Sequence, residues 1–246
     1  MFNRWFLLSV ALATAGGLAF VIWLDSREAD SGYDAPARDT GLAGASGYEE
    51  APANPELGQE DQERVAYVTS ALDTLESERT RLPYMGELIR IYSEAGKYDR
   101  AAEWAHQRAS LTGESDDWKE AGTFFLQSSR AAQDDEKVKH LASNARTMYQ
   151  NARENDPDNP DILTDLSVVY MTLLEPESSY RLLQKALDDH PDHIRANFNL
   201  GVLLHQMGET DQSVGFLNRS HALAEGSEWE GVVQGYLDRY HDELFH

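Results

Sequence analysis

The 246-residue chain contains no cysteine and few basic residues: 21 Lys and Arg stand against 43 Asp and Glu, for a formal charge of -22. Without cysteine there is no disulfide framework, no thiolate metal site, no thiol nucleophile and no cysteine-linked lipid. The shortage of basic residues argues against nucleic acid as a partner and against an anionic membrane surface, since both are recognised through a basic footprint. Lysine is confined to Lys97, Lys119, Lys137, Lys139 and Lys185, and the other basic residues are arginine. Such an acidic, lysine-poor surface is suited to high salt, where screening removes most of the self-repulsion.

Signatures of catalysis are missing as well. There is no phosphate loop, no GxSxG and no HExxH, and the eight histidines are scattered along the chain. His190-Pro191-Asp192-His193 falls in an expected turn with no further ligands near it in sequence. The acidic run Asp156 to Asp161 lacks the central glycine and terminal glutamate of a calcium loop, and Asn159 followed by Pro160 fits a helix cap instead. These absences point to a protein that is not an enzyme and holds no cofactor or metal.

One long apolar run is present. Trp5 to Leu24 is twenty positions without a charge, with a tryptophan at each end. As a helix it spans roughly 30 Å, the thickness of a hydrocarbon core, and it places both indoles at the headgroup level. A cleavable signal peptide normally has an apolar stretch of about 7–15 residues. Here Leu18, Phe20, Val21, Ile22, Trp23 and Leu24 continue past the small-residue sites near Ala13 and Ala15. Residues 1–24 are therefore expected to be an uncleaved single-pass anchor in the cytoplasmic membrane. Arg4 on the amino-terminal side places the later domain on the exported, periplasmic side. Residues 25–57 are rich in Gly, Ala, Pro and acids, with eight acids against Arg27 and Arg38. They read as a flexible tether with a reach of roughly 30 Å.

From residue 58 the pattern becomes helical and periodic. Two segments align without a gap at an offset of 34 residues: Leu166 with Leu200, Ser167 with Gly201, Tyr170 with Leu204, Ser179 with Ser213, Leu183 with Leu217, and Ala186 with Ser220. Upstream, Leu88, Tyr92, Gly96, Tyr98 and Ala101 carry the same signature, although Arg108 stands where a small residue is expected. A stretched copy begins at Trp118 and Gly122 and resumes at Ala145, Tyr149 and Ala152, with about eleven extra residues around 127–137. This period, with small and large residues in register, resembles the tetratricopeptide repeat.

The resemblance implies an all-α solenoid of antiparallel helical hairpins over 58–246. Its repeats fall at about 82–114, 115–159 with the insertion, 160–193 and 194–227. Val65, Val68, Leu72 and Leu75 form a stripe before the first repeat. After the last, 228–246 form a capping helix, with Trp229, Val232, Val233, Tyr236, Leu237 and Tyr240 on one face. Ser115 is expected to cap the first helix of the second repeat.

The family also implies a concave groove lined by the first helix of each hairpin, holding a peptide or helix of a partner protein. Carried over by position, the candidates are Asp161, Thr164, Val168, Met171 and Thr172 in the third repeat. In the fourth they are Arg195, Phe198, Asn199, Val202, His205 and Gln206, and in the first Arg90, Ser93 and Glu94. Val168, Met171, Phe198 and Val202 form an apolar strip bordered by Arg195 and His205. The expected role is a membrane-anchored adaptor in envelope protein assembly. Two other roles fit the same pattern: a cytochrome c maturation subunit presenting apocytochrome segments, and a structural homo-oligomer.

Overall fold

The computed structural model describes residues 56–241 and Leu244. They form ten α-helices: α1 Gln59–Thr74, α2 Glu78–Glu94, α3 Tyr98–Thr112, α4 Ser115–Ala131, α5 Asp135–Asn155, α6 Pro160–Thr172, α7 Pro176–Asp189, α8 Ile194–Gln206, α9 Thr210–Ala224 and α10 Glu230–Arg239. Among the described residues no helix is long and apolar enough to cross a membrane. The expected anchor at 5–24, and the tether up to residue 55, lie outside the described residues.

Four hairpins stack in sequence: α2 with α3, α4 with α5, α6 with α7, and α8 with α9. Each is held by one small residue facing one large one. A methyl group on Gly201 of α8 would lie 2.7 Å from Leu217 Cγ of α9, and one on Gly122 of α4 would lie 2.9 Å from the Tyr149 ring of α5. Only hydrogen in place of a side chain permits that approach. The third hairpin sets Ser167 against Leu183 at the same two positions, and the first reverses the sizes with Ile89 and Ala105. All four of these residues are buried. One apolar core runs from Ile89 to Leu244, and a smaller one of Val68, Leu72, Met85 and Leu88 seats α1 on α2.

The hairpin turns repeat as closely as the cores. At the end of α2, Gly96 N–H bonds Ser93 O and Lys97 N–H bonds Tyr92 O; after α8, Gly208 and Glu209 do the same with His205 and Leu204. After α6 the pattern recurs with Leu174 and Glu175 on Met171 and Tyr170. This is the Schellman closure, whose penultimate residue takes a left-handed conformation. Gly96 and Gly208 have φ of 68° and 79°, and Leu174 has 60° with its side chain 69% exposed. A leucine is strained there by its Cβ, by about 1 kcal/mol.

The stretched repeat extends both of its helices, to 17 residues in α4 and 21 in α5. Asp134 caps α5 by accepting from the Lys137 N–H. Asn159 caps α6 as expected, accepting from the Asp161 and Ile162 N–H groups ahead of Pro160. Ser115 does not cap α4: Glu114 holds that position, and the Ser115 hydroxyl donates to the Ala152 carbonyl across the hairpin. A hydroxyl at the first turn had two partners within reach, and the interhelical one took it. Helix α2 begins at Glu78, ahead of the expected residue 82.

Arg108 has a physical explanation. Where the other hairpins carry Ala152, Ala186 and Ser220, its side chain passes over Gly86 and reaches α4, bonding Asp117 at 2.7 Å and Glu120 at 2.6 Å. The first joint of the stack thus carries an ionic contact at a position where the later hairpins carry a small residue.

Two contrasts test this account by urea denaturation. Gly201→Ala should destabilise by about 1–3 kcal/mol through overpacking against Leu217. Gly235→Ala, at the matching position of α10 with nothing within 4 Å of its added methyl, should stabilise by about 0.5–1 kcal/mol. Leu174→Gly should stabilise by about 1 kcal/mol, and a loss would show that the leucine side chain contributes packing the exposed turn conceals.

Candidate interaction surface

The groove residues expected in the third and fourth repeats do come together, on the first helices α6 and α8. The structure closes most of them inside the stack. Thr164, Val168, Phe198, Asn199 and Val202 are all 0–1% exposed, and Arg195 is 8% exposed. Met171 and His205 are half-buried. Three residues of the apolar strip expected from the sequence, Val168, Phe198 and Val202, are therefore interior here, and Met171 is half-buried at its edge.

On α8 the cover is helix α10. Tyr236 meets the Phe198 ring edge-on at 5.4 Å, and its hydroxyl lies 2.8 Å from His205 Nδ1. Tyr240 packs against the His205 ring at 5.2 Å, and the Trp229 ring lies 5.8 Å from the Arg195 guanidinium. These aromatics continue the 34-residue register: Trp229 follows Arg195, Tyr236 follows Val202, and Tyr240 follows Gln206. Helix α10 therefore stands where the first helix of a fifth hairpin would stand, and it covers the preceding first helix. The signal was present in the sequence, as a continuation of the period past the fourth repeat.

Arg195 is a joint rather than a groove border. Its Nη1 donates to Asp165 Oδ1 and its Nη2 to Asp161 Oδ1, both at 2.6 Å, and His193 Nε2 lies 3.2 Å from the same Asp161 oxygen. His193 also caps α8, its Nδ1 accepting from the Ala196 N–H. The two carboxylates on this arginine shift in opposite directions. Burial raises the Asp165 pKa, with Arg195 offsetting part of the effect. The hydrogen bonds from His193 and Arg195 hold Asp161 well below the usual carboxylate range despite its partial burial.

Toward the other end of the stack the same groove position is open. Arg90, two residues after Leu88, corresponds to Val168 and Val202, and Thr123 is its counterpart in the second hairpin. Exposure falls along this row, from exposed Arg90 through half-buried Thr123 to fully buried Val168 and Val202. Glu94 is exposed beside Arg90 and pairs with it at 2.7 Å, while Ser93 is half-buried. Beside them, between α1 and α2, lies a cleft of about 740 Å3 lined by Glu60, Asp61, Glu63, Arg64, Tyr67, Glu87, Arg90 and Ile91. Sequence reasoning missed the α1 half of this site because α1 has no counterpart in the repeat period.

No family model and no curated protein matches the chain. Solved structures do. The chain is similar to the crystal structure of a thermophilic TPR protein, TTC0263 of Thermus thermophilus, at TM-score 0.55 and 18% identity over 74% of this chain and 89% of that one. It is also similar to two crystal structures of MamA. One matches at TM-score 0.51 and 15% identity over 70% and 96% of the two chains, the other at 0.52 and 16% over 68% and 84%. At such identities the likeness establishes the fold, which is that of a tetratricopeptide-repeat solenoid.

The joint at Arg195 is testable. Arg195→Met leaves the Asp165 carboxylate buried without its partner and should cost about 3–5 kcal/mol, most of it recovered by adding Asp165→Leu. For Asp161 the folded pKa is depressed, so its contribution is present above the unfolded carboxylate range and lost as pH falls through it. In thermal melts, the advantage of the wild type over Asp161→Asn should be full at pH 6 and shrink below about pH 4. An advantage that grew on acidification would reverse the assignment.

Proposed function

We propose that this solenoid is a membrane-anchored scaffold on the exported side of the cytoplasmic membrane, where it holds a partner protein during envelope protein assembly. Residues 5–24 supply the anchor and the acidic tether gives the repeat stack its reach. The partner sits at the open end formed by α1 and α2. The observation that carries this reading is the gradient of exposure along the inner row of first helices. That row is charged and accessible at Arg90, and filled by aromatics where α10 closes it. A stack sealed at one end and open at the other has one place on this row to receive a polypeptide.

Two measurements test it. Alkaline extraction of native membranes should leave the full chain in the pellet and release a variant lacking residues 1–24; release of the full chain would exclude the anchor. A photo-crosslinking residue at position 90 should then capture one defined partner in those membranes, whereas the same residue at position 219 on α9 should not. Equal capture from both positions would move the interaction off the inner row.

A further inference from the structure

We infer that the cleft between α1 and α2 receives a cationic segment of the partner, with arginine or lysine side chains spaced along it; the inference rests on the scaffold reading and names the chemistry of its occupant. The arginines in the cleft are already matched. Arg64 pairs with Glu87 at 2.6 Å and Arg90 with Glu94 at 2.7 Å. Three carboxylates on α1 then remain without an ion-pair partner among the described residues: Glu60, Asp61 and Glu63. Glu60 and Asp61 lie in the first turn, where acids also complement the positive end of the helix. Glu63 lies beyond that turn, and its one polar partner is the uncharged Gln59 amide.

The second element is Tyr67. Its side chain is 61% exposed, on the same α1 face as Glu60, Glu63 and Arg64, one turn further along. It already acts as a platform for a guanidinium, with Arg64 Cζ 5.3 Å from the ring centroid. An exposed aromatic ring beside unmatched carboxylates recognises an organic cation by two additive means, ring quadrupole and charge. An anionic segment would meet three carboxylates, and both arginines that line the cleft are already paired. An uncharged apolar segment would find little apolar lining, because Ile91 is 3% exposed at the floor.

General acidity must be separated from the cleft, since a chain of charge -22 attracts any polycation weakly. The test uses the full chain in detergent and three labelled short peptides: one alternating arginine and leucine, one with serine for arginine, and one with glutamate for arginine. The arginine peptide should bind at least tenfold more tightly than the serine peptide, and the glutamate peptide not at all. Tyr67→Ala should weaken the arginine peptide about threefold to tenfold. Glu60→Lys with Glu63→Lys should abolish it. Asp188→Lys with Asp189→Lys makes the same change in net charge at the far end of α7 and should alter binding by no more than about twofold. Circular dichroism melts confirm that each variant folds, and Tyr67→Ala alters an exposed side chain alone. Equal losses in the two double variants would assign the attraction to diffuse charge and overturn the inference. So would equal binding of the serine peptide, or no binding of any peptide. The membrane crosslinking result stands apart from all three outcomes, so the scaffold reading can survive the loss of this one.

Discussion

Close approach between the two helices of each hairpin is the constraint on which the rest of this structure depends. Where Leu217 fills the space above Gly201, and Tyr149 the space above Gly122, the would-be Cβ positions are occupied to within 3 Å. The requirement concerns the sum of two side-chain volumes rather than glycine itself: Ser167 with Leu183, and Ile89 with Ala105, meet it with different partitions. Once each hairpin is pinned at that separation, its outer faces are presented at a repeating angle and the next hairpin stacks in turn. Interiors close-packed to this degree respond in steps to added volume, which makes the small position a sensitive one.

The stacking joints carry more chemical variety than the hairpins. Arg108 ties the first hairpin to the second through Asp117 and Glu120, and Arg195 ties the fourth to the third through Asp161 and Asp165. Part-buried and buried ion pairs of this kind, of which Arg195 with Asp165 is the most enclosed, seldom add much net stability, because desolvation offsets most of the attraction. What they supply is directional geometry: Arg195 reaches two carboxylates spaced one turn apart on α6, which allows one register. Between the second and third hairpins the joint combines an apolar core that holds Met148, Tyr149 and Leu163 with a half-exposed ion pair, Arg146 to Glu175 at 3.1 Å.

The repeat, the hairpins and most of their cores were legible in the sequence because packing repeats at a fixed interval and leaves Leu, Gly and Ala in register. The Asn159 cap was legible for a local reason, since the side chain bonds its own helix. What the period does not encode is the fate of a first-helix face. Val168, Phe198 and Val202 occupy positions that line a groove when the next helix stands away, and pack as core when it brings large side chains across. For the α8 positions the deciding residues, Trp229, Tyr236 and Tyr240, lie some 34 positions further on. Reading α10 as a generic amphipathic cap concealed them. The α1 side of the open cleft was hidden for the opposite reason, since it belongs to no repeat.

The same logic explains why the two ends of the stack differ. A solenoid needs its terminal faces covered, and here each end uses a different cover. Helix α10 copies a first helix closely enough to bring three aromatic rings onto α8, while its outward face carries Gly231, Gln234, Gly235 and Asp238, all exposed. That face is polar and ends the apolar core. Helix α1 covers the other end through Val68 and Leu72 with Val65 beside them, and its neighbouring face carries carboxylates and an exposed tyrosine instead of more aliphatic side chains. Sealing the amino-terminal end would have required only apolar residues at positions such as 63, 64 and 67. Their replacement by Glu, Arg and Tyr leaves a charged recess against a finished core, and it puts that recess at the start of α1, directly after the acidic tether in sequence.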